Sequence, residues 1–526
     1  MQSIINNETI FYETFDINEE HAYKINSYPN TNLEVLTVTY YDTYEFDQGD
    51  HHAFMKNINT NDFLLSEIEE EEKVKGQVTG TKTRILDTDY FITNITLYDD
   101  KYRPIRSYSI NPLLFKSDLI LTKFDFIGNI LKTWQIHEKD YDGTNNFNDT
   151  IHIKQRFEYD HALRLTHEYH KVSSNPEILL AHNQYNELGQ LVQKNLHETT
   201  TDTYLQSIDY DYNIRGWLTG INNPDNLQET GQAKDLFAME LAYNDPGFGL
   251  NTEAQFNGNI SAIRWTDDHY NEMSAYVFAY DHVNRLNIAD HQKYVTNWDD
   301  TQSEFDLDTV TYDANGNIMK LRRYRDGNTL MDDMTYAYYH GNASNQLHTV
   351  TDYGEMDQGF LDYDNTMDYT YDANGNLTRD YNKGIDTIKY NYLNLPQDII
   401  GGTDTISYFY TADGTKIAKL NKDGVEKLYL GNIVYDENAL DYIITSEGMV
   451  KVANENTFTY EYYLKDHLGN TRVAFDESGG VASLTQVNHY YPFGMNIGAY
   501  SYSISTDNSI NLLGKSCRMT NWRGVH

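Results

Sequence analysis

The sequence predicts an all-β protein made of successive antiparallel hairpins, and three observations support that fold class. The heptad Tyr312-Asp313-Ala314-Asn315-Gly316-Asn317-Ile318 returns as Tyr371-Asp372-Ala373-Asn374-Gly375-Asn376-Leu377. The composition is that of a sheet, with 46 Tyr and 21 Phe against only 8 Pro in 526 residues. No Pro-, Ser- or Gly-rich linker breaks the series from about Tyr98 to Tyr435, so that stretch reads as one continuous repeat body.

Each part of the heptad has a local reason. The aromatic ends one strand, the Asp side chain can bond backbone amides two residues on, and Asn-Gly accepts the positive φ of a tight turn. An apolar residue then starts the return strand. Degenerate copies run along the chain: Tyr98-Asp99 with Arg103 and Ile105, Phe124-Asp125 with Gly128-Asn129-Ile130, Tyr159-Asp160 with Arg164-Leu165, and Tyr185-Asn186 with Gly189-Gln190-Leu191. Further copies are Tyr210-Asp211 leading to Gly216-Trp217-Leu218, Phe256-Asn257 to Gly258-Asn259-Ile260, Tyr280-Asp281 to Asn284-Arg285-Leu286, and Tyr410 to Asp413-Gly414. The intervals are irregular, which fits an evenly bladed propeller or solenoid poorly.

Outside the turns, Leu36 to Tyr41 and Ile92 to Leu97 read as strands of a lead-in β region spanning residues 1–120. The repeat body follows over 121–435. Within it Phe237 to Tyr243 alternates large side chains at period two and reads as a strand despite its good helix formers. Hydrophobic residues make up 39%, low for a solid core at this length, so much wall and little filled interior is expected. Tyr suits such a wall, because its ring packs while its hydroxyl can meet water or a polar neighbour.

The formal net charge is -39, from 79 acidic and 40 basic residues. That balance argues against wrapping nucleic acid or docking on anionic lipid. Many of the Asp residues belong to turns, and the run Glu67 to Glu72 reads as an exposed loop or short helix.

The Tyr-Asp heptads resemble the YD repeats of the Rhs (recombination hot-spot) and teneurin class. Lys75-Gly76-Gln77-Val78-Thr79-Gly80-Thr81, Tyr212-Asn213-Ile214-Arg215-Gly216-Trp217-Leu218-Thr219 and Phe256-Asn257-Gly258-Asn259-Ile260-Ser261-Ala262-Ile263-Arg264-Trp265 are similar to segments of bacterial Rhs-type proteins. Tyr463-Leu464-Lys465-Asp466-His467-Leu468-Gly469-Asn470-Thr471-Arg472-Val473, followed by Tyr490-Tyr491-Pro492-Phe493-Gly494-Met495, resembles the opening of the Rhs-associated core domain. The likeness covers about Leu33 to Met495 and marks 436–500 as a partial core domain. It implies a spiralling antiparallel sheet forming a hollow or partly open cocoon, often around a variable C-terminal toxin that aspartyl self-cleavage in the core domain releases. It also implies an extracellular or cell-surface setting.

In the family the cleaving aspartates lie beyond the Tyr-Pro-Phe-Gly segment, and no matching Asp-Pro site follows Met495 here. Residues 501–526 look aberrant. Asn511 to His526 hold the only Cys, Cys517, and a basic cluster without strand pattern. One set of synonymous codons for this stretch, read from its third base, gives Phe-Thr-Gly-Lys-Glu-Leu-Gln-Asp-Asp-Glu-Leu-Ala-Gly-Arg-Ser, which is similar to the next segment of the family core. A frameshift truncation is therefore expected, and Cys517 is then an accident of frame. Met1 to Glu8 has neither the basic start nor the apolar stretch of a signal peptide, so either that export route is not used or the true N-terminus is missing. No run is apolar enough for a transmembrane helix.

Catalytic, cofactor-binding and metal residues are expected to be none. His167-Glu168 with His170, and Asp50-His51-His52, bring potential ligands together, but strand alternation sends neighbours to opposite faces. Asp466 beside His467 reads as turn geometry rather than an acid-base pair. Asp313 to Asn317 lacks the alternating oxygens and distal Glu of a calcium loop, and there is no phosphate loop or Gly-x-Ser-x-Gly elbow. The leading functional reading is a structural shell fragment of a polymorphic toxin or secreted Rhs protein, enclosing or presenting a polypeptide, without its own toxin or release protease. The alternative is cell-surface adhesion or carbohydrate binding, with a surface partner such as a glycan. Neither reading calls for nucleic acid or membrane insertion.

Overall fold

A computed structural model describes residues 13–504 apart from 26–32, 48–50, 59–73, 140–148, 229–230, 232, 245–246, 300–303, 356–357, 364–365, 438 and 455–456. The acidic run Glu67 to Glu72, Asp50 and the tail from 505 onward lie outside the described residues. The described residues form a nearly all-β protein with long antiparallel sheets, as its hairpin chemistry dictates. Its chain forms two compact units, one of Met1–Leu180 with Phe409–Ile417 and the other of Ala181–Tyr408 with Ala418–His526.

In the first unit the strands Thr37–Tyr41, Val78–Arg84, Phe91–Tyr98, Pro104–Asn111, Lys116–Phe124, Ile130–Glu138, Thr150–Tyr159 and Leu165–Val172 form a meander in which each pairs antiparallel with the next. Both strands expected in the lead-in region are present. The inward positions of the meander (Tyr40, Ile95, Leu97, Tyr108, Leu119, Leu121) make one core cluster. A short helix, His51–Asn57, lays Met55 on that cluster. The strand geometry assumed for His51 and His52 is thus wrong. Asp47, three residues before the undetermined Asp50, holds both rings, accepting from His51 Nδ1 at 2.6 Å and His52 Nδ1 at 3.0 Å.

In the second unit a first meander runs from Leu191–Thr200 and Thr203–Tyr212 through Phe237–Ala242, Ala262–Asp267, Met273–Tyr280 and Leu286–Tyr294 to Leu307–Tyr312, Ile318–Arg325, Thr329–Tyr338 and Leu347–Asp352. The expected strand at Phe237 forms over Phe237–Ala242, with both faces buried except at Glu240. A second series runs from Gly424–Leu430 to Thr457–Lys465, Thr471–Ser478, Val481–Tyr490 and Asn496–Ser503, again antiparallel throughout. This series packs on the first: the Tyr462 hydroxyl meets His197 Nδ1 at 2.9 Å, and Lys194 Nζ meets Glu447 Oε1 at 2.7 Å.

A register shift recurs at the repeat aromatic, between Leu97 and Tyr98, Lys123 and Phe124, Ala279 and Tyr280, Thr311 and Tyr312, and Thr370 and Tyr371. A bulge bends its strand and increases local right-handed twist. Placed at the same heptad position each time, it builds that bend into the repeat itself.

Candidate functional site

The most regular constellation in the protein is the repeat turn. Asp313 N–H donates to the Asn317 carbonyl at 2.9 Å and Gly316 N–H to the Asp313 carbonyl at 3.2 Å, enclosing a three-residue loop. Asp313 Oδ1 accepts from the amides of Asn315 at 2.8 Å and Asn317 at 2.9 Å, and its Oδ2 accepts from Asn317 Nδ2 at 2.8 Å. Asp372 makes the same set with Asn374 and Asn376. Only glycine takes positive φ, +93° at Gly316 and +89° at Gly375; Asn315 and Asn374 do not share it, which corrects the expected Asn-Gly pair. Desolvation pushes the Asp313 carboxyl up, and the hydrogen bonds from the Asn317 side chain and from the backbone amides together outweigh it, so the group sits below the usual carboxylate range.

The residue four after the acid carries a role that the sequence reading passed over. It is Asn317, Asn376, Asn129 or Arg103, Arg164, Arg285, and in each case its side chain bonds the second carboxylate oxygen. The arginines then reach onward, Arg103 Nη1 to the Asp125 carbonyl at 2.5 Å and Arg285 Nη1 to the Asp313 carbonyl at 3.0 Å. Turns are thereby joined to the turns that follow them.

The aromatic joins them backwards. Tyr312 donates its hydroxyl to the Leu286 carbonyl at 2.7 Å, and Leu286 opens the return strand of the preceding hairpin. Tyr98 does so to Val78, Tyr159 to Ile130, Tyr212 to Leu191, Tyr243 to Leu218, Tyr280 to Ile260, Tyr338 to Ile318, Tyr390 to Leu377 and Tyr490 to Thr471, at 2.6 to 2.9 Å. Two expected copies therefore shift. Tyr212-Asn213, not Tyr210-Asp211, is the repeat start before Gly216, and Tyr243 rather than Phe256 takes the aromatic role before Gly258. At Tyr410 the acid position falls on Thr411, whose N–H and carbonyl close the loop through Thr415 and Gly414.

The segment Tyr463 to Val473 contains another copy of the turn. Asp466 Oδ1 accepts from Leu468 N at 3.0 Å and Asn470 N at 2.9 Å, its Oδ2 accepts from Asn470 Nδ2 at 3.1 Å, and Gly469 has φ +86°. Leu468 is exposed at the tip, and His467 lies in the loop beside Asp466 without bonding it. Pro492-Phe493-Gly494 forms a 3-10 turn that Tyr491 N–H closes onto the Met495 carbonyl at 2.7 Å.

Arg472, from the same motif, enters a buried cluster within the second unit. Its guanidinium lies 5.1 Å from the Phe237 ring centre and 5.0 Å from that of Trp265, and its Nε donates to the Asn488 carbonyl at 2.9 Å. Beside it, His489 Nε2 meets Asp267 Oδ2 at 2.8 Å and His489 Nδ1 meets Trp265 Nε1 at 3.3 Å. An indole can only donate, so His489 is the Nε2–H tautomer. Burial depresses the His489 imidazole. Burial raises the Asp267 carboxyl, but its bonds from His489 and the amides of Tyr270 and His269 hold it below the usual range. Neighbouring His291 is pushed down to about 3 by burial. This His-Asp pair resembles a catalytic dyad in outline only. Both imidazole nitrogens are committed, and the pair is 3% and 1% exposed, so no ring nitrogen remains to take a proton from a nucleophile.

Further out, Tyr491 donates to the Tyr324 carbonyl at 2.9 Å and Tyr500 to Glu272 Oε2 at 2.8 Å, fastening the final strand over Phe305 and Met331. On strand Leu165–Val172, Glu168 and His170 share the buried face while His167 lies on the other. Among the described residues no group of three or more His, Cys, Asp or Glu is placed to hold a metal ion, and no helix is long and apolar enough to cross a membrane.

No protein-family profile and no curated protein matches the sequence. Solved structures do match in fold. A crystal structure of TcdB2-TccC3 without its hypervariable C-terminal region aligns at TM-score 0.51 with 15% identity over 85% of this chain and 24% of that one. A Photorhabdus luminescens Tc holotoxin pore aligns at TM-score 0.54 with 15% identity over 85% and 23%, and the crystal structure of TcdB2-TccC3-TEV at 0.51 with 15% identity over 91% and 27%. The chain spans about a quarter of the solved chains it matches. It has the Rhs-like, all-β fold that the resemblance implies.

Proposed function

We propose that this chain is a wall segment of an Rhs-type shell of the polymorphic-toxin or secreted kind, enclosing or presenting a polypeptide and performing no catalysis of its own. In this reading residues 1–120 lead into the wall, 121–435 form the repeat body, and 436–500 act as the core-domain portion that anchors on it. The observation that carries the proposal is the two-way stitching of the hairpins. Tyrosine hydroxyls tie most of the hairpins to the ones before them, and arginines tie turns to those that follow, which makes a stiff sheet from segments with little core of their own. The likeness in fold to chains of toxin complexes supports it. The buried His489–Asp267 pair, with no nitrogen to spare, agrees with a non-enzymatic role.

Cryo-electron microscopy of the purified chain, with intact-mass measurement during prolonged incubation, tests the reading. The expected result is a particle with internal space and an unchanged mass. A particle filled throughout, or spontaneous cleavage of the chain, refutes it.

A further inference from the structure

A cleft of about 430 Å³ opens within the second unit, walled by residues of Thr203–Tyr212 and Leu218–Ile221 together with Ser446, Glu447 and the turn that begins at Asp466. Its lining supplies aliphatic groups from Ile208, Ile221 and Leu464 and aromatic rings from Tyr210, Phe237 and Tyr463. The volume falls in the range of small-ligand sites, roughly 300 to 1,000 Å³.

Most of the polar groups in the lining are already engaged. Lys194 Nζ meets Glu447 Oε1 at 2.7 Å and Oε2 at 2.9 Å. The Tyr212 hydroxyl donates to the Leu191 carbonyl at 2.9 Å. Asn222 accepts Asp209 N–H at 2.7 Å and donates to the Phe237 carbonyl at 2.9 Å, and the Asp466 carboxylate is held by its own turn. Two groups are not engaged. The Tyr210 hydroxyl has no hydrogen-bond partner among the described residues, and His467 Nδ1 is buried without one. Burial, reinforced by Arg472 and opposed by Asp466, holds the His467 imidazole below its usual range, so at neutral pH the ring is uncharged and one of its nitrogens accepts.

These properties narrow what can bind. With Lys194 and Glu447 paired and Lys465 exposed to water, an ionic ligand finds no unmatched buried charge in the lining. Aromatic walls favour an aromatic body, packed offset or edge-on. A buried acceptor left empty calls for a donor, and a site organised around such a bond rejects analogues that lack it. A ligand O–H or N–H satisfies His467, and a phenol oxygen can also accept from Tyr210.

We propose that this cleft binds a small neutral aromatic molecule of the phenol or indole class, a binding activity separate from the wall role. The test uses the full-length chain with 4-ethylphenol, 3-methylindole, ethylbenzene and 4-ethylbenzoate, read by calorimetry and saturation-transfer NMR. Saturable binding of 4-ethylphenol and 3-methylindole is expected, with ethylbenzene and 4-ethylbenzoate weaker by about tenfold or more. Tyr210→Phe, which keeps the ring, should weaken 4-ethylphenol roughly 2- to 13-fold while sparing 3-methylindole. His467→Ala, and Ser446→Trp with its added bulk at an exposed lining position, should weaken both. Asn315→Ala, in another turn, should bind as the parent does. Folded protein that binds neither 4-ethylphenol nor 3-methylindole, equal affinity for ethylbenzene or 4-ethylbenzoate, or binding that both His467→Ala and Ser446→Trp retain overturns the assignment.

Discussion

Replacing Tyr280, Tyr312 and Tyr338 by phenylalanine, singly and together, removes three successive backward hydroxyl bonds while keeping every ring. Each hydroxyl donates to a different carbonyl, those of Ile260, Leu286 and Ile318, at 2.7 to 2.9 Å. A neutral intramolecular hydrogen bond contributes a net ~0.5 to 1.5 kcal/mol, because water recovers part of what is lost. The upper end belongs to Tyr280, whose phenol burial pushes up to about 12. Sites without shared partners add, so the triple variant should lose about 1.5 to 4.5 kcal/mol. Native-state hydrogen exchange reads this locally: protection in Met273–Tyr280, Leu286–Tyr294 and Ile318–Arg325 should fall roughly 2- to 13-fold for each bond removed. If the triple variant exchanges and denatures in urea as the parent does, the stitching is an ornament of packing and the account of the wall fails. Phe124 supplies the converse. It occupies the aromatic position without a hydroxyl, under the Arg103 guanidinium at 4.9 Å, so Phe124→Tyr should increase protection of the preceding hairpin.

Asp368, 1% exposed, has its carboxyl raised by burial despite accepting Val350 N–H at 2.7 Å, and Asp352 and Asp380 are raised by burial too. A raised folded-state pKa gives stability that is complete below the unfolded value near 3.9 and is lost as pH rises through the folded one. Asp368→Asn should therefore raise the melting temperature at pH 7.5 relative to the parent and lose that advantage at pH 3.5. Gly448→Ala places a Cβ 2.1 Å from the Glu461 carbonyl oxygen and should cost about 3 kcal/mol or more in urea denaturation, whereas Gly316→Ala, with open space around it, should cost only the roughly 1 to 2 kcal/mol of left-handed backbone. Arg472→Lys gives up the planar contact with Trp265 and the Nε bond to Asn488, and should lower stability by about 1 to 3 kcal/mol with a change in tryptophan fluorescence.

The hairpin fold was legible because each turn carries its own chemistry locally: an acid, a glycine and an aromatic at fixed offsets announce a loop wherever they stand. The partners of those groups were less legible. Tyr210-Asp211 satisfies the letter pattern as well as Tyr212-Asn213 does, and only the hydroxyl acceptor on the neighbouring strand separates them. The side chain four after the acid varies between Asn and Arg, so it looks like tolerance of any polar residue until both are seen to bond the same carboxylate oxygen. The helix at His51 was missed because its organising group, Asp47, precedes it in an irregular stretch. Arg472 was placed by family resemblance alone. Nothing local says that a strand arginine will be buried among rings contributed by strands hundreds of residues earlier.

The direction of the tyrosine bonds has a consequence for how the protein comes into being. Tyr98, Tyr159, Tyr212, Tyr280, Tyr312 and Tyr338 all reach toward chain that precedes them. During synthesis, where N-terminal segments emerge first at about 5 to 20 residues per second, every such acceptor is already outside the ribosome when its donor arrives. Growth can then proceed like knitting, each new row caught on the last, and the nascent chain need never hold a long unfastened length in waiting.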